Sequence, residues 1–272
     1  MGLEECTRLA REGANKPVQD VIPLEIPKEF DLHGAKLATL TQATAYQGIR
    51  QRQKPPSRQT TRENLNTARN AIHTYNGNLE TDASIWIGNR NSNICTRVQQ
   101  YLYKSLNATQ MVGNIWMNIP TDPPRQNCTT CHVTETMEHI LIHCAALLPP
   151  IIWDLARSTW PYARCLWPEI SFGIVLGCGS VYPPTTELPN RTDPPLAYNP
   201  RGAARLLQTL ISESAHLIWV LRCERVIQDR SHTAGEIRLR WLRSINARLT
   251  NDKILATMIK RDEKTSQKVR NT

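Results

Sequence analysis

The chain has 272 residues, a formal charge of +9, 40% hydrophobic residues and seven tryptophans, enough to build one large or two modest domains around a real core. It carries no N-terminal apolar stretch of the secretory kind and no uninterrupted apolar run approaching ~20 residues, which excludes an obvious secreted or membrane-spanning protein. The charge is uneven: six basic residues between Gln47 and Ala71 face Glu63 alone, thirteen Lys or Arg from Arg222 onward face six Asp or Glu, and four Arg between Pro120 and Pro200 face seven acidic residues.

Residues 2–13, GLEECTRLAREG, predict a short helix with Leu9 and Ala10 available for packing. Pro17, Pro23 and Pro27 then impose an extended connector. From Leu32 to Arg52 the apolar and small residues Ala35, Leu37, Leu40, Ala43, Tyr46 and Ile49 recur at roughly helical spacing, and Pro55-Pro56 ends the pattern. A second helix is expected from about Thr61 to His73, with Asn76-Gly77 as a turn. Between Thr81 and Tyr103 the residues Ile85, Trp86, Ile94, Val98, Tyr101 and Leu102 predict an amphipathic segment that Gly88-Asn89 can interrupt. A further helix is expected around Met111 to Met117.

The next segment, CTTCHVTETMEHILIHC, holds Cys128, Cys131, His139 and Cys144 in the pattern C-x2-C-x7-H-x4-C. Three sulfurs and an imidazole are the soft and borderline ligands that suit tetrahedral zinc. The x2 spacing lets one tight turn aim two sulfurs at one ion, and the helix formers in TETMEHILI carry His139 in on a helix with Cys144 near its end. Four filled positions leave none open for substrate or activated water, so the reading is a structural Zn2+ site. The competing reading makes Cys128 and Cys131 loop thiols and Cys144 a buried hydrophobe. His143 competes as fourth ligand, because on a regular helix it shares a face with His139 whereas Cys144 is rotated away. Cys144 is preferred, since the helix can end there, ahead of Pro149 and Pro150; His132, beside Cys131, is a weaker competitor. Cys6, Cys95, Cys165, Cys178 and Cys223 are scattered like reduced, buried intracellular thiols.

Downstream, Ile151 to Trp160 predicts a short helix whose Trp153 and Trp160 belong to the core. Residues 181–200 contain six prolines and read as a loop. The strongest helical pattern runs from Ala203 to Gln228 through Leu206, Leu207, Leu210, Ile211, Leu217, Ile218 and Leu221, and Ile237, Trp241, Ile245 and Leu249 mark another helix. The last stretch, Thr250 to Thr272, is polar and expected to fray. Period-two patterns are scarce, so the expected fold class is mainly α, a helical domain with a small embedded CCHC zinc-binding module.

No Walker-type loop, G-x-G-x-x-G, G-x-S-x-G or HExxH occurs, and GCGS at 177–180 reads as a turn among apolar residues. Glu213 and His216, with Ser212 near, lack a third orienting group and read as polar positions on a packed helix.

Several ordered blocks are similar to a known family. CTTCHVTETMEHILIHC resembles the reverse-transcriptase zinc-binding segment that follows the polymerase in LINE-like, non-LTR retrotransposon polyproteins, where a CxxC pair precedes an E-H-x4-C element; Glu138-His139 and Cys144 match that element. GAKLATLTQATAYQGIR, TDASIWIGNR, FGIVLGCG and LISESAHLIWVLRCERVIQ resemble the region after ribonuclease H in fungal elements of this kind, so the likeness spans roughly residues 30–250. GLEECTRLAREG resembles the last helix of a ribonuclease H domain, G-N-E-x-A-D-x-L-A, with Gly2, Glu4, Leu9 and Ala10 in agreement, Leu3 in place of Asn and Thr7 in place of Asp. Ribonuclease H chemistry needs several carboxylates around divalent metal ions, and in the family these come mostly from upstream elements.

The resemblance implies the following organisation: residues 1–16 a remnant of the ribonuclease H C-terminal helix, 17–80 a helical linker, 81–180 a reverse-transcriptase zinc-binding-like domain, 181–200 a Pro-rich loop, 201–250 C-terminal helices and 251–272 a polar tail. The expected function is a non-catalytic, zinc-containing nucleic-acid-binding fragment of such a polyprotein, with no catalytic residues. Its partner would be RNA or DNA bound non-specifically, with no small-molecule substrate and no membrane. The metal ligands would be Cys128, Cys131, His139 and Cys144, and Arg50, Arg52, Lys54, Arg58, Arg238, Arg240 and Arg243 the phosphate contacts, with Tyr101 and Tyr103 available for base stacking or for the core. The expected location is intracellular, nuclear or cytoplasmic. Two alternatives stand beside this one: a ribonuclease H or reverse-transcriptase-associated enzyme, and a zinc-braced helical protein-interaction domain.

Overall fold

The computed structural model describes residues 2–18, 40–52, 58–119, 125–146, 148–162, 165–184 and 199–270. They divide into two units, Met1–Pro56 and Ser57–Thr272. The first contains α1 (Gly2–Ala14) and α2 (Gln42–Arg52). α2 buries no residue, and Leu9 and Ala10 on α1 are exposed, contrary to the packing role expected for them. Within α1, Arg8 pairs with Glu5 and Glu12, both at 2.5 Å.

The second unit is mainly helical, and among its described residues there is no strand, only one isolated antiparallel bridge between Asn127 and Thr134. α3 (Gln59–Asn76) buries Thr61, Leu65, Ala68 and Ile72 and stops at Gly77, whose φ of +76° supplies the left-handed cap the Asn-Gly pair predicted. The segment from Thr81 is interrupted where expected. Thr81 and Ser84 form a reciprocal capping box that starts α4 (Asp82–Gly88), and α5 (Thr96–Leu106) follows after a turn at Asn89–Asn93. Gly113–Asn118 is a 3-10 turn where a helix was expected around Met111–Met117.

α6 (Leu148–Ser158) and α7 (Phe172–Leu176) lead to α8 (Pro200–Ile227), which Asn199 caps through two backbone N–H groups. α8 is the centre of the unit. Residues 207–215 are buried without a break, so its face toward the core is far wider than a surface helix needs, as its many apolar positions require. α9 (Ala234–Arg270) lays Ile237, Trp241 and Ile245 against the core, and the Trp241 indole donates to Ser214 Oγ on α8 at 2.8 Å. The helix continues through the segment expected to fray. No Pro or Gly interrupts residues 236–270 and good helix formers fill them, so a polar composition there is compatible with continued helix.

The blocks TDASIWIGNR, FGIVLGCG and LISESAHLIWVLRCERVIQ meet in this core. α4 ends on a 3-10 turn, Cys178–Ser180, at a glycine-to-glycine contact: a Cβ on Gly88 or on Gly179 would run into the other's backbone. Asn89, buried beside them, donates to Leu176 O at 2.6 Å and accepts from Gly179 N–H at 3.2 Å. Gln208 of α8 completes the joint by donating to Gly179 O and Val181 O and accepting from Asn93. GCGS is therefore a buried turn. Trp153 and Trp160 pack against the core as expected, with indole donors satisfied by Leu141 O and Cys165 O, each at 2.8 Å. No helix among the described residues is long and apolar enough to cross a membrane. Residues 19–39, 53–57 and 185–198 lie outside the described residues, and with them Lys54 and most of the Pro-rich loop.

Candidate metal centre

Cys128, Cys131, His139 and Cys144 converge, with one ligand atom from each lying within 4.8 Å of all the others. The first pair sits on a tight turn. Cys128 N–H donates to Val133 O at 2.8 Å, His132 N–H to Cys128 O at 2.9 Å and Glu135 N–H to Gln126 O at 3.0 Å. His132 supplies the left-handed residue that this turn needs, φ +58°, and is exposed to solvent.

The second pair depends on a local departure from the α-helix. Five residues of regular helix place i+5 about 140° away from i, the objection to pairing His139 with Cys144. Here His139–His143 form one turn of π-helix, closed by Cys144 N–H donating to His139 O at 2.7 Å. The extra residue in the turn brings position i+5 back beneath position i, and such turns recur at functional sites. The widened turn leaves carbonyls without the usual partner, and Trp153 of α6 donates to that of Leu141. His143 points away: its side chain is 63% exposed and lies 3.8 Å from Glu138. The fourth donor is thus Cys144.

The spacings match a tetrahedral ion. Zinc–sulfur bonds of about 2.3 Å at tetrahedral angles place two sulfurs about 3.8 Å apart; Cys128 and Cys144 Sγ are 3.7 Å apart, and Cys131 and Cys144 Sγ are 4.0 Å apart. His139 Nε2 is buried and finds no hydrogen-bond partner among the described residues, an orphan that an ion within the cluster relieves. Cys128 and Cys144 are buried, at 1% and 6% exposure. Cys131 Sγ accepts from Ala145 N–H at 3.2 Å, an orienting contact suited to a thiolate. Burial pushes the Cys128 thiol up, but the His139 imidazole, the backbone N–H groups of Cys131 and Thr130 and the Cys144 thiol outweigh it and bring it down to about 6. Burial and the neighbouring sulfurs, against the Ala146 N–H, push Cys144 up to about 11. Capturing a metal through thiolates releases protons.

A buried ion pair ties this module to the bundle. Glu135, between Cys131 and His139 in the chain, meets Arg222 of α8, with side chains 1% and 3% exposed. Arg222 Nε donates to Oε1 at 3.3 Å and a second nitrogen donates to Oε2, while the guanidinium lies 5.6 Å from the Trp219 ring. The sequence held one sign of it: Arg222 falls four residues after Ile218 on the apolar face of the helix, where a charge needs a buried partner.

The proposed phosphate contacts fall in both units. Arg50 and Arg52 are exposed on α2, with Arg50 5.9 Å from the Tyr46 ring. Arg58 is exposed at the start of α3, and Arg238 and Arg243 are exposed on α9. Arg240 is engaged otherwise, since its two terminal nitrogens donate to the Glu224 carboxylate at 2.6 and 2.8 Å. Tyr101 is buried, 4% exposed, whereas Tyr103 is 54% exposed, so only the second can stack on a ligand.

A second polar cluster gathers around Glu213 on α8. Glu213 is buried and takes Arg97 at 3.0 Å, Ser244 at 3.1 Å and the Cys95 thiol at 3.2 Å. Burial raises the Cys95 thiol and lowers the His216 imidazole from their ordinary values. Ser212 donates to Thr209 O. Of the remaining cysteines, Cys165 and Cys178 are buried, Cys95 and Cys223 half-buried, and Cys6 exposed, unlike the buried thiol expected there. Comparison with protein-family models, with curated proteins and with solved structures finds no match to this chain.

Proposed function

We propose that this chain is a non-catalytic nucleic-acid-binding module braced by structural zinc, of the kind that follows the polymerase and nuclease in a LINE-like retrotransposon polyprotein. The observation that carries the reading is the convergence of three sulfurs and one imidazole within 4.8 Å. Zinc is the metal this donor set favours, and four protein ligands saturate it. The ion would hold the CxxC turn against the π turn and, through Glu135 and Arg222, hold both on α8. Cys128, Cys131 and Cys144 would bind it as thiolates and His139 through a ring nitrogen.

Nucleic-acid binding rests on the basic surplus outside the metal module. Arg58, Arg238 and Arg243 in the helical unit and Arg50 and Arg52 on α2 carry exposed guanidinium groups, which neutralise phosphates without reading bases. The test is binding of labelled RNA and DNA by the zinc-loaded protein across a salt series. Affinity falling steeply between 50 and 200 mM salt supports the reading, and a flat curve or no binding at low salt removes it. Leu239, Leu242 and Leu249, exposed along α9, favour a second reading as a protein-interaction domain. That reading expects association that survives high salt.

A further inference from the structure

We infer that the cleft between α3, α4 and α5 is a stacking site for single-stranded nucleic acid, an inference that rests on the nucleic-acid reading above and assigns it to a face of the molecule. The cleft has a volume of 480 Å³, and Arg58, Thr61, Asp82, Trp86, Tyr103 and Asn107 are among the residues that line it. That volume lies within the range of about 300–1,000 Å³ typical of pockets that take a small organic ligand.

One ring of its aromatic wall, Tyr103, is not needed to fill the core. α5 buries Val98, Tyr101, Leu102, Ser105 and Leu106, and Tyr103 stands off that face with more than half its surface in water. Trp86, half-buried on α4, meets it at a ring-centroid distance of 5.7 Å and an interplanar angle of 50°. Two tilted rings leave an open aromatic face beside them, and a base can stack there whatever its identity, because every base presents a π-face.

One cation lines the cleft and two more stand near it on the same helices. Arg58 lines the cleft, Arg62 follows one helical turn along α3, and Lys104 adjoins Tyr103; all three are exposed. The one carboxylate in the wall, Asp82, is already paired with Arg69. Thr61 and Asn107 add polar groups that are joined to each other at 3.2 Å. An aromatic wall with cations at or near its edge suits a strand whose bases are unpaired and whose phosphates run alongside. A duplex keeps its bases stacked and offers no ring to this wall. A proline-rich peptide also docks on aromatic grooves but has no phosphates for Arg58, Arg62 and Lys104.

The test uses the full zinc-loaded chain and a fluorescein-labelled dT12 strand at low salt, with a 12-bp duplex and a proline-rich peptide as comparison ligands. Tyr103→Ala should weaken dT12 binding by about 5- to 150-fold, the range of one lost base stack, while Tyr103→Phe stays within about 2-fold. Duplex binding should change little in either variant. Trp86→Leu should weaken dT12 binding in the same direction. Because Tyr103 is exposed, zinc content and helical circular dichroism should match the parent, separating a lost contact from a lost fold. If the parent binds dT12 in a salt-dependent way and neither variant weakens it, the cleft assignment is wrong while the broader reading stands. If the parent binds no nucleic acid, both fall. Equal loss of duplex affinity in Tyr103→Ala, or tight peptide binding that Tyr103→Ala abolishes, would also overturn the assignment.

Discussion

The Glu135–Arg222 pair gives the most quantitative test of how the metal module is held. Arg222→Met removes the cation and leaves a carboxylate with 1% of its side-chain surface in water. Stranding one member of a buried pair costs about 3–5 kcal/mol, a large part of the roughly 5–15 kcal/mol of a folded domain. The double variant Glu135→Leu with Arg222→Met removes both charges and should recover most of that loss, because a well-packed apolar pair often replaces a buried ion pair at little cost. Arg222 also rests on Trp219, and a double-mutant cycle subtracts that separate contribution. Urea unfolding of the zinc-loaded proteins supplies the free energies, and competition with a chromophoric chelator reports the metal site. Coupling of at least about 2 kcal/mol is expected, with faster zinc loss in the single variant than in the double one. Losses that add to within about 0.5 kcal/mol would refute the pair as the link between module and bundle.

Three further outcomes follow from the geometry. Cys144→Ser should lower zinc affinity at least about tenfold while His143→Ala leaves it unchanged, as measured by chelator competition; the opposite pattern would mean the π turn does not set the ligand. Gly179→Ala should destabilise the helical unit by about 1–3 kcal/mol in urea unfolding, the usual cost of overpacking, because its new methyl meets the backbone of Gly88; a neutral result would show that the two backbones separate freely. Hydrogen bonds from Arg240, against a smaller effect of burial, hold the Glu224 carboxyl below its ordinary value of 4.5. The ionised form is therefore favoured by folding, so this contribution is complete above pH 4.5 and is lost as pH falls through the depressed folded-state value. The gap in Tm between the parent and Glu224→Gln should shrink as the pH drops from 6 to 3, and a gap that widens would reverse the sign.

The four residues of the cluster were legible because their chemistry is carried by residue type and spacing, and α8 because its apolar pattern from Leu206 to Leu221 runs over about four turns. Choosing Cys144 over His143 needed more than the period of an α-helix. Nothing in TETMEHILI by itself announces a π turn, which is stabilised from outside by the Trp153 indole. Glu135 showed no pattern of its own, and Arg222 showed only that a charge lay on an apolar face. The Gly88–Gly179 joint was invisible for a related reason. Each glycine read singly as an interruption or a turn, and only tertiary packing places one on the other. The last 20 residues of α9 were read from their polarity as a fraying tail, and the helix runs through them.

The most direct measurement is X-ray absorption at the zinc edge on the purified protein, with elemental analysis of the same sample. The account predicts one zinc per chain surrounded by three sulfurs near 2.3 Å and one nitrogen near 2.0 Å. It predicts a shell that loses one sulfur in Cys144→Ser and is unchanged in His143→Ala. Protein that carries no zinc after refolding in its presence, or a shell containing an oxygen and fewer than three sulfurs, would contradict it.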